Sequence, residues 1–374
     1  MHELRLPIAA LLAIAFGLST TGFAHQKGGA CNRARGDAPR VTAYISPQSS
    51  EQFRSLAEYR RADGCPAISV AILFAANYAA DERPYLRAGN NNPPTTKPFN
   101  ENLQQVLDDG SVRYLQTRGI KVMLSITNGH SPVGWSQFTS EREALDFARY
   151  LKESVVARYG LDGIDIDDEY SSGVPNRTSL IMVTTLMRQL MPNKIITKAL
   201  FEDKRYFRAS WEGHRLAENL DYGWEMSYGD PPGPRLVPYT RWLSKKQLSL
   251  GFWSGAPSRT PIEDVHWLRD QGYAGIMVFG FEEQSGVNLM GELVDAWVGP
   301  GAGGGPPDSP DSPEGPTTVP DLDLLHAFDR LGRQGIEELV TRSCDLAAEL
   351  AWRAEESPPL ELCAPVRAGD EPAG

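Results

Sequence analysis

The sequence predicts an α/β protein whose main unit is a (β/α)8 TIM barrel. Short apolar runs with the composition of strands recur between residues 41 and 279, and patterns with helical spacing separate them. Such alternation is typical of a parallel sheet with helices packed on its faces. The roughly 260 residues before a glycine- and proline-rich stretch are enough for one barrel.

The predicted strands follow one another at the spacing that a barrel requires. They cover residues 41–45, 68–74, 121–126, 163–167, 194–198, 222–226, 248–252 and 275–279. The clearest helical patterns cover residues 100–118, 140–159, 179–190 and 262–271. A doubly wound open sheet is the alternative. That fold commonly has a glycine-rich phosphate loop after its first strand, whereas residues 44–47 read Tyr-Ile-Ser-Pro.

Residues 1–24 have the features of a signal peptide. Charged residues near the start precede an apolar run at 6–16, and Gly22 and Ala24 are small residues of the kind that signal peptidase prefers. We expect cleavage after Ala24 and a secreted mature protein. The alternative is a retained N-terminal anchor. No other apolar run reaches the roughly 18 residues of a membrane span, so we expect no stable membrane association.

The four cysteines suit an oxidising compartment. Their positions favour two local disulfides, Cys31–Cys65 and Cys344–Cys363, although the sequence alone permits three connectivities. No C-x-x-C spacing occurs, which argues against metal binding by these cysteines.

The C-terminal part of the chain differs in composition from the barrel. Residues 299–320 are rich in glycine and proline and predict a linker, and residues 321–374 predict a small acidic helical tail with no assigned chemistry. From residue 301 onward, 15 acidic and 5 basic residues contribute −10 of the net charge of −11. The preceding body is therefore almost neutral and has no basic cluster, which argues against nucleic-acid binding.

The candidate site is an acidic strand at residues 161–170, which read Leu-Asp-Gly-Ile-Asp-Ile-Asp-Asp-Glu-Tyr. At the period of two that a strand imposes, Asp165, Asp167 and Glu169 share one face, and Ile164 and Ile166 share the other. Adjacent buried carboxylates repel one another and lose hydration, so such a cluster indicates a place where protons or cations are handled. In a barrel, reactive groups gather where strands end, as Glu169 does.

Two structural interpretations compete with an active site. A calcium loop would need a central glycine and would not alternate with isoleucine. A solvated charged edge is the other, and Ile164 and Ile166 fit it poorly.

The pattern Asp162-x-x-Asp165-x-Asp167-x-Glu169 resembles the motif of glycoside hydrolase family 18, which contains chitinases and endo-β-N-acetylglucosaminidases. Its extended form is more similar to the endoglycosidase H and F branch than to the chitinases. The similarity covers residues 38–298, which we take as the catalytic barrel. Segments that share it lie at residues 71–77, 99–102, 106–108, 119–126, 129–130, 221–224 and 228–229.

The resemblance implies a retaining, substrate-assisted reaction that needs no metal or other cofactor. Glu169 would protonate the leaving oxygen and then activate water, while Asp167 would orient the substrate's acetamido group. Tyr228, in a Met-x-Tyr pattern, would bind the acetamido carbonyl. Three carboxyl groups this close cannot all ionise near neutral pH, so we expect Asp165 and Asp167 to share a proton and to raise the pKa of Glu169.

Further residues are candidates for substrate binding. Aromatic rings at or just beyond strand ends could stack on sugars, although such rings are more often core residues. The aromatic candidates are Trp135, Trp224, Trp253 and Phe281, and the polar ones are Asn77, His130 and Glu225. The tryptophan that chitinases carry at the end of the eighth strand has no match at residues 277–282, which favours a single cut over the threading of long chains.

The resemblance therefore implies a secreted enzyme that cuts the β-1,4 bond of the N,N'-diacetylchitobiose core of N-linked glycans. Its partners would be N-glycans on glycoproteins, and we expect a monomer. A chitinase acting on N-acetylglucosamine oligomers is the first alternative. The second is an inactive barrel that only binds glycans, although such relatives usually lose the acid that Glu169 supplies here.

Overall fold

The computed structural model describes residues 41–78, 86–87, 98–128, 134–169, 173–281 and 284–299. Its strands are β1 (Val41–Ile45), β2 (Val70–Tyr78), β3 (Leu86–Arg87), β4 (Lys121–Asn128), β5 (Gly163–Ile166), β6 (Ile195–Leu200), β7 (Tyr222–Glu225), β8 (Leu248–Trp253) and β9 (Gly275–Phe279). Its α-helices are α1 (Ser50–Ser55), α2 (Glu101–Asp108), α3 (Ser111–Gln116), α4 (Glu141–Tyr150), α5 (Ser179–Leu190), α6 (Lys204–Arg208), α7 (Leu216–Asn219), α8 (Pro232–Leu236), α9 (Pro261–Gln271) and α10 (Gln284–Val298).

All the strands except the short β3 form a closed parallel barrel. Each of them pairs in parallel with the next, and β1 closes the ring by pairing with both β2 and β9. β3 is antiparallel to the end of β2, through Asn77 opposite Arg87 and Tyr78 opposite Leu86. The predicted (β/α)8 barrel is confirmed, and the open-sheet alternative is wrong because an open sheet has no β1–β9 pairing.

Two buried layers hold the barrel together. One lies between the strands and the surrounding helices and includes Ile164 and Ile166 of the acidic strand. The other fills the barrel interior and includes Tyr44, Met123 and Trp224. Because a strand alternates its side chains, each strand supplies both layers, and its inward residues at the carboxyl end face the mouth of the barrel.

A left-handed glycine and side-chain caps set the ends of several helices. The helix predicted at residues 100–118 is divided into α2 and α3, because Gly110 takes a left-handed φ of 85°. Asn100 caps α2 by accepting from the Leu103 amide, and Ser140 caps α4 by accepting from the Glu143 amide. Beyond α4 the predicted helix continues as a π-helical stretch, Leu151–Ala157.

Several sequence predictions lie outside the described residues. These are the signal peptide at 1–24, the linker, the acidic tail, and the cysteines Cys31, Cys344 and Cys363. The two disulfides therefore stay predictions. Within the described part of the chain, no helix has the length and apolar character needed to cross a membrane.

Candidate active site

The acidic strand is anchored at its start by Asp162. This carboxylate accepts hydrogen bonds from the Val122 amide at 2.9 Å, from Gln116 Nε2 at 2.9 Å and from Lys121 Nζ at 2.9 Å. The contacts tie the beginning of β5 to β4 and to α3. Asp162 therefore supports the start of the acidic strand.

Asp165 is fully buried in the barrel interior and accepts four hydrogen bonds. Tyr44 Oη at 2.7 Å and Ser125 Oγ at 2.9 Å donate to Oδ2, while Thr197 Oγ1 at 2.6 Å and Trp224 Nε1 at 3.0 Å donate to Oδ1. Burial raises the pKa of Asp165, and these hydrogen bonds oppose the rise. Burial and the charge of Asp165 also raise the pKa of Tyr44, so that the phenol stays a donor.

Asp167 is also buried but differs from Asp165 in its hydrogen bonding. Its side chain is buried, and its Oδ1 has no hydrogen-bond partner. Burial and then the nearby charges of Glu169 and Asp165 raise its pKa well above the ordinary value. Among the described residues there is no hydrogen bond between the carboxyl groups of Asp165 and Asp167. The pKa values of both acids are thus raised and the two groups influence each other through charge, while the sharing of a proton between them stays a prediction.

Residues 167–169 continue along the end of β4. The Asp167 amide donates to the Ile126 carbonyl at 3.1 Å, and the Asn128 amide donates to the Glu169 carbonyl at 3.1 Å. Asp168 lies on the outer face, where its Oδ1 accepts from Asn128 Nδ2 at 3.0 Å and from a serine hydroxyl. The alternation therefore places Asp167 and the half-buried Glu169 on the inward side, above Asp165.

An aromatic wall, defined here as Tyr44, Phe74, Tyr228, Trp253 and Phe279, occupies the other half of the barrel. Phe279 joins its members: its ring centroid lies 5.3 Å from that of Phe74, 5.9 Å from that of Trp253 and 6.2 Å from that of Tyr228. All except the buried Tyr44 are partly exposed. A set of accessible rings facing carboxyl groups is suited to hold a sugar by its apolar face.

Tyr228 is held in this wall by the end of β7. The Glu225 carboxylate accepts from the Ser227 amide at 3.2 Å and from the Ser227 hydroxyl, which fixes the turn before Tyr228. Arg235 forms a buried ion pair with Glu225 and donates to the Gly251 carbonyl at 3.1 Å. Gly251 leaves room for the ring, because a Cβ there would lie 3.1 Å from Tyr228 Cε1.

Comparison with known proteins agrees with this geometry. Residues 90–252 match the family model of the endo-β-N-acetylglucosaminidase EndoS TIM-barrel domain. An endo-β-N-acetylglucosaminidase of Flavobacterium sp. (strain SK1022) is 30% identical over 257 residues, which cover 66% of this chain and 76% of that protein. The chain belongs to the endo-β-N-acetylglucosaminidases of the family 18 type. It is a glycosidase.

Two further similarities are consistent with this assignment. Endo-β-N-acetylglucosaminidase F1 of Elizabethkingia meningoseptica is 27% identical over 248 residues, which cover 62% of this chain and 68% of that protein. The structure of EndoBT-3987 of Bacteroides thetaiotaomicron with its Man5GlcNAc product has a TM-score of 0.55 at 22% identity. The similarity covers 72% of this chain and 63% of that one. At this identity the second similarity shows the shared barrel fold.

Two aromatic residues predicted to bind substrate in this endo-β-N-acetylglucosaminidase lie in the outer core instead. Trp135 is fully buried and donates from Nε1 to the Ile126 carbonyl at 2.7 Å. Phe281 is 1% exposed and packs edge-on against Tyr59, with ring centroids 6.0 Å apart. The predictions for Trp135 and Phe281 are wrong, because neither ring has a face that a sugar can reach.

Two other predicted substrate-binding residues support the site from behind. Trp224 is fully buried below the mouth, where it donates to Asp165. Glu225 is 2% exposed and is committed to Arg235 and the Ser227 turn. The prediction of direct substrate contact is wrong for both residues, because their polar atoms bind other protein groups and their side chains have no open surface.

Of the remaining polar candidates, Asn77 and His130, the structure describes only Asn77. Asn77 is buried at the end of β2, where its Oδ1 accepts from Thr127 Oγ1 at 2.5 Å. His130 lies outside the described residues. Substrate binding by either residue stays a prediction.

The members of the wall that sequence reasoning missed are Tyr44, Phe74 and Phe279. All three lie on predicted strands, and Phe279 is two residues after Met277 of the barrel interior. Alternation along those strands could have found them, because inward residues near a carboxyl end reach the mouth.

Proposed function

We propose that the protein hydrolyses the β-1,4 bond between the two core N-acetylglucosamines of N-linked glycans and leaves one sugar on the glycoprotein. The observation that carries this proposal is the placement of Asp167 and Glu169 at the barrel mouth, facing the aromatic wall. The relationship to endo-β-N-acetylglucosaminidases supports the bond type. N-glycans on glycoproteins are the proposed partners.

The proposed reaction is substrate-assisted and retains the anomeric configuration. Glu169 donates its proton to the glycosidic oxygen as that bond breaks. The acetamido carbonyl oxygen of the sugar on the released-glycan side attacks the anomeric carbon of that sugar and forms an oxazolinium ring. Glu169, now a carboxylate, takes a proton from water, which attacks the anomeric carbon and reopens the ring. No metal or organic cofactor takes part in these steps.

The environment of Asp167 suits its proposed role beside the acetamido group. Its Oδ1 is buried and has no hydrogen-bond partner in the protein, so a bond from the acetamido N–H would satisfy it. Positive charge develops on this group as the ring forms, and the hydrogen bond that Asp167 accepts from the acetamido N–H would strengthen at that point. Tyr228, held by the Glu225 turn, would donate to the acetamido carbonyl from the wall.

The substrate choice is tested by offering both candidate substrates to the purified enzyme. A high-mannose glycoprotein and chitotetraose are incubated separately, and the products are analysed by mass spectrometry. The proposal predicts release of a glycan ending in one N-acetylglucosamine and little cleavage of chitotetraose. Preferential cleavage of chitotetraose would establish the chitinase alternative. Glycan binding without product over long incubation would establish the inactive barrel.

We also propose that the enzyme is exported and acts as a monomer. Export rests on the signal-like sequence of residues 1–24. N-terminal sequencing of protein recovered from culture medium should begin at His25, and light scattering should give the mass of one chain. Recovery only from cells, or a dimer mass, would contradict the respective statement.

A further inference from the structure

Phe201 is an exposed aromatic residue at the carboxyl end of β6. It is 42% exposed, and the other exposed large hydrophobic residues in the described part of the chain, Val174 and Val237, are aliphatic. Thr197 and Ala199 face the barrel interior. Phe201 is the next residue in that inward alternation. A single exposed ring on a surface needs no explanation, but this one follows a strand of the catalytic face.

Phe201 follows the strand that neighbours the acidic strand in the barrel, since β5 and β6 pair in parallel. Asp165 pairs with Thr197, and Ile166 pairs with Lys198. Glu169 and Phe201 each lie three residues beyond this last pair, just past the carboxyl ends of these neighbouring strands. On the other side, the Met226 amide donates to the Leu200 carbonyl at 3.1 Å, so Phe201 also lies next to the segment that leads to Tyr228.

The turn that carries Phe201 is fixed by buried charges. Lys198 Nζ donates to Asp203 Oδ2 at 2.9 Å, and both side chains are almost fully buried. The same carboxylate oxygen accepts from the Phe201 amide at 2.7 Å. Between them, Glu202 takes a left-handed φ of 53°, which is uncommon for a residue other than glycine. Unfavourable backbone of this kind persists where the surroundings over-determine it, and it occurs often at ligand sites.

We propose that Phe201 forms a subsite for the leaving-side N-acetylglucosamine, stacking on the apolar face of that sugar. The inference rests on the proposed function. Glu169 donates its proton to the oxygen that leaves, so an exposed ring at the end of the neighbouring strand is placed to reach the departing sugar. The aromatic wall on the opposite half of the barrel takes the sugar whose anomeric carbon reacts.

The test compares one substrate that has a leaving sugar with one that has none. The first is an N-glycopeptide, and the second is the preformed oxazoline of the same glycan. Phe201→Ala should lower kcat/KM for the glycopeptide about tenfold, mainly through KM, because stacking energy is lost. Hydrolysis of the oxazoline should be unchanged. Phe201→Tyr should restore glycopeptide cleavage, since it keeps the ring.

Val237→Ala is the matched control, because it trims an exposed apolar residue next to Leu236 of the outer core. It should leave both substrates unaffected. Equal kcat/KM of Phe201→Ala and wild type on the glycopeptide would overturn the subsite, as would an equal loss on both substrates. A wild-type enzyme that acts on neither substrate would overturn the proposed function itself.

Discussion

The indole N–H of Trp224 donates a hydrogen bond to Asp165 Oδ1 at 3.0 Å inside the closed barrel. Both residues are fully buried, and Thr197 donates to the same oxygen. This contact predicts that the tryptophan influences the reaction through Asp165 rather than by touching a sugar. Because Asp165 lies directly below Asp167 on the strand, its charge is one of the causes that raise the pKa of Asp167.

Removing the indole N–H donor of Trp224 should lower both the stability of the protein and its kcat. Trp224→Phe loses a buried hydrogen bond to a carboxylate, worth about 1.5–3 kcal/mol, and kcat should fall about tenfold or more. Urea unfolding and initial rates measure the two effects. Trp135→Phe is the matched control, since Trp135 Nε1 donates to the Ile126 carbonyl in the outer core. It should cost stability without lowering kcat. Equal kcat values for Trp224→Phe and wild type would contradict the support role.

The raised pKa of Asp167 predicts a pH-dependent stability. An acid whose pKa is higher in the folded state binds its proton more tightly there, so its contribution is full below the unfolded pKa. The contribution is lost as the pH rises through the folded pKa. Asp167→Asn mimics the neutral form at every pH. It should therefore match wild type below about pH 4 and exceed the wild-type Tm increasingly at higher pH, while losing most activity.

Thermal unfolding of both proteins across this pH range measures the divergence. Asp270→Asn makes the same chemical change at an exposed position and should follow wild type throughout. Parallel curves for Asp167→Asn and wild type would show that burial does not keep Asp167 protonated.

The acidic strand could be read from the sequence because its information is local. Alternation over residues 164–169 fixes the face of each side chain, and Asp165 and Asp167 are where that alternation places them. The aromatic residues beyond strand ends could not be assigned in this way. Gly280 takes a left-handed φ of 80°, which interrupts the alternation after Phe279. Phe279 thus lies in the aromatic wall, whereas Phe281 lies in the outer core.

Long-range contacts explain the other misjudged residues. The sequence around Glu225 does not predict its ion pair with Arg235, because the pairing depends on how α8 packs behind β7 and β8. Likewise, Trp135 returns to the carbonyl of Ile126, nine residues earlier. Strand position predicted where these residues lie along the barrel, but the partner elements determine what they contact.

The Glu225–Arg235 pair should be costly to break from one side. Arg235→Met leaves a buried carboxylate without its ion pair and should destabilise the protein by about 3–5 kcal/mol. Glu225→Gln combined with Arg235→Met should recover much of that loss, since the buried charge is gone. Denaturant unfolding of the single and double variants gives the coupling energy.

Arg149→Met provides the surface comparison, because Arg149 pairs with Asp146 at 3.8 Å and both are exposed. It should cost less than about 1 kcal/mol. A similar small loss for Arg235→Met would mean that the buried pair does not hold the turn before Tyr228.

The central claim is that Glu169 is the single protein acid of a substrate-assisted endo-β-N-acetylglucosaminidase. The most direct test is the mass of a high-mannose glycoprotein after incubation with wild type and with Glu169→Gln. Wild type should leave one N-acetylglucosamine at each glycosylated asparagine, and the variant should cleave at least about a thousandfold more slowly while unfolding at a similar temperature. Near-normal release of glycan by Glu169→Gln would contradict the claim.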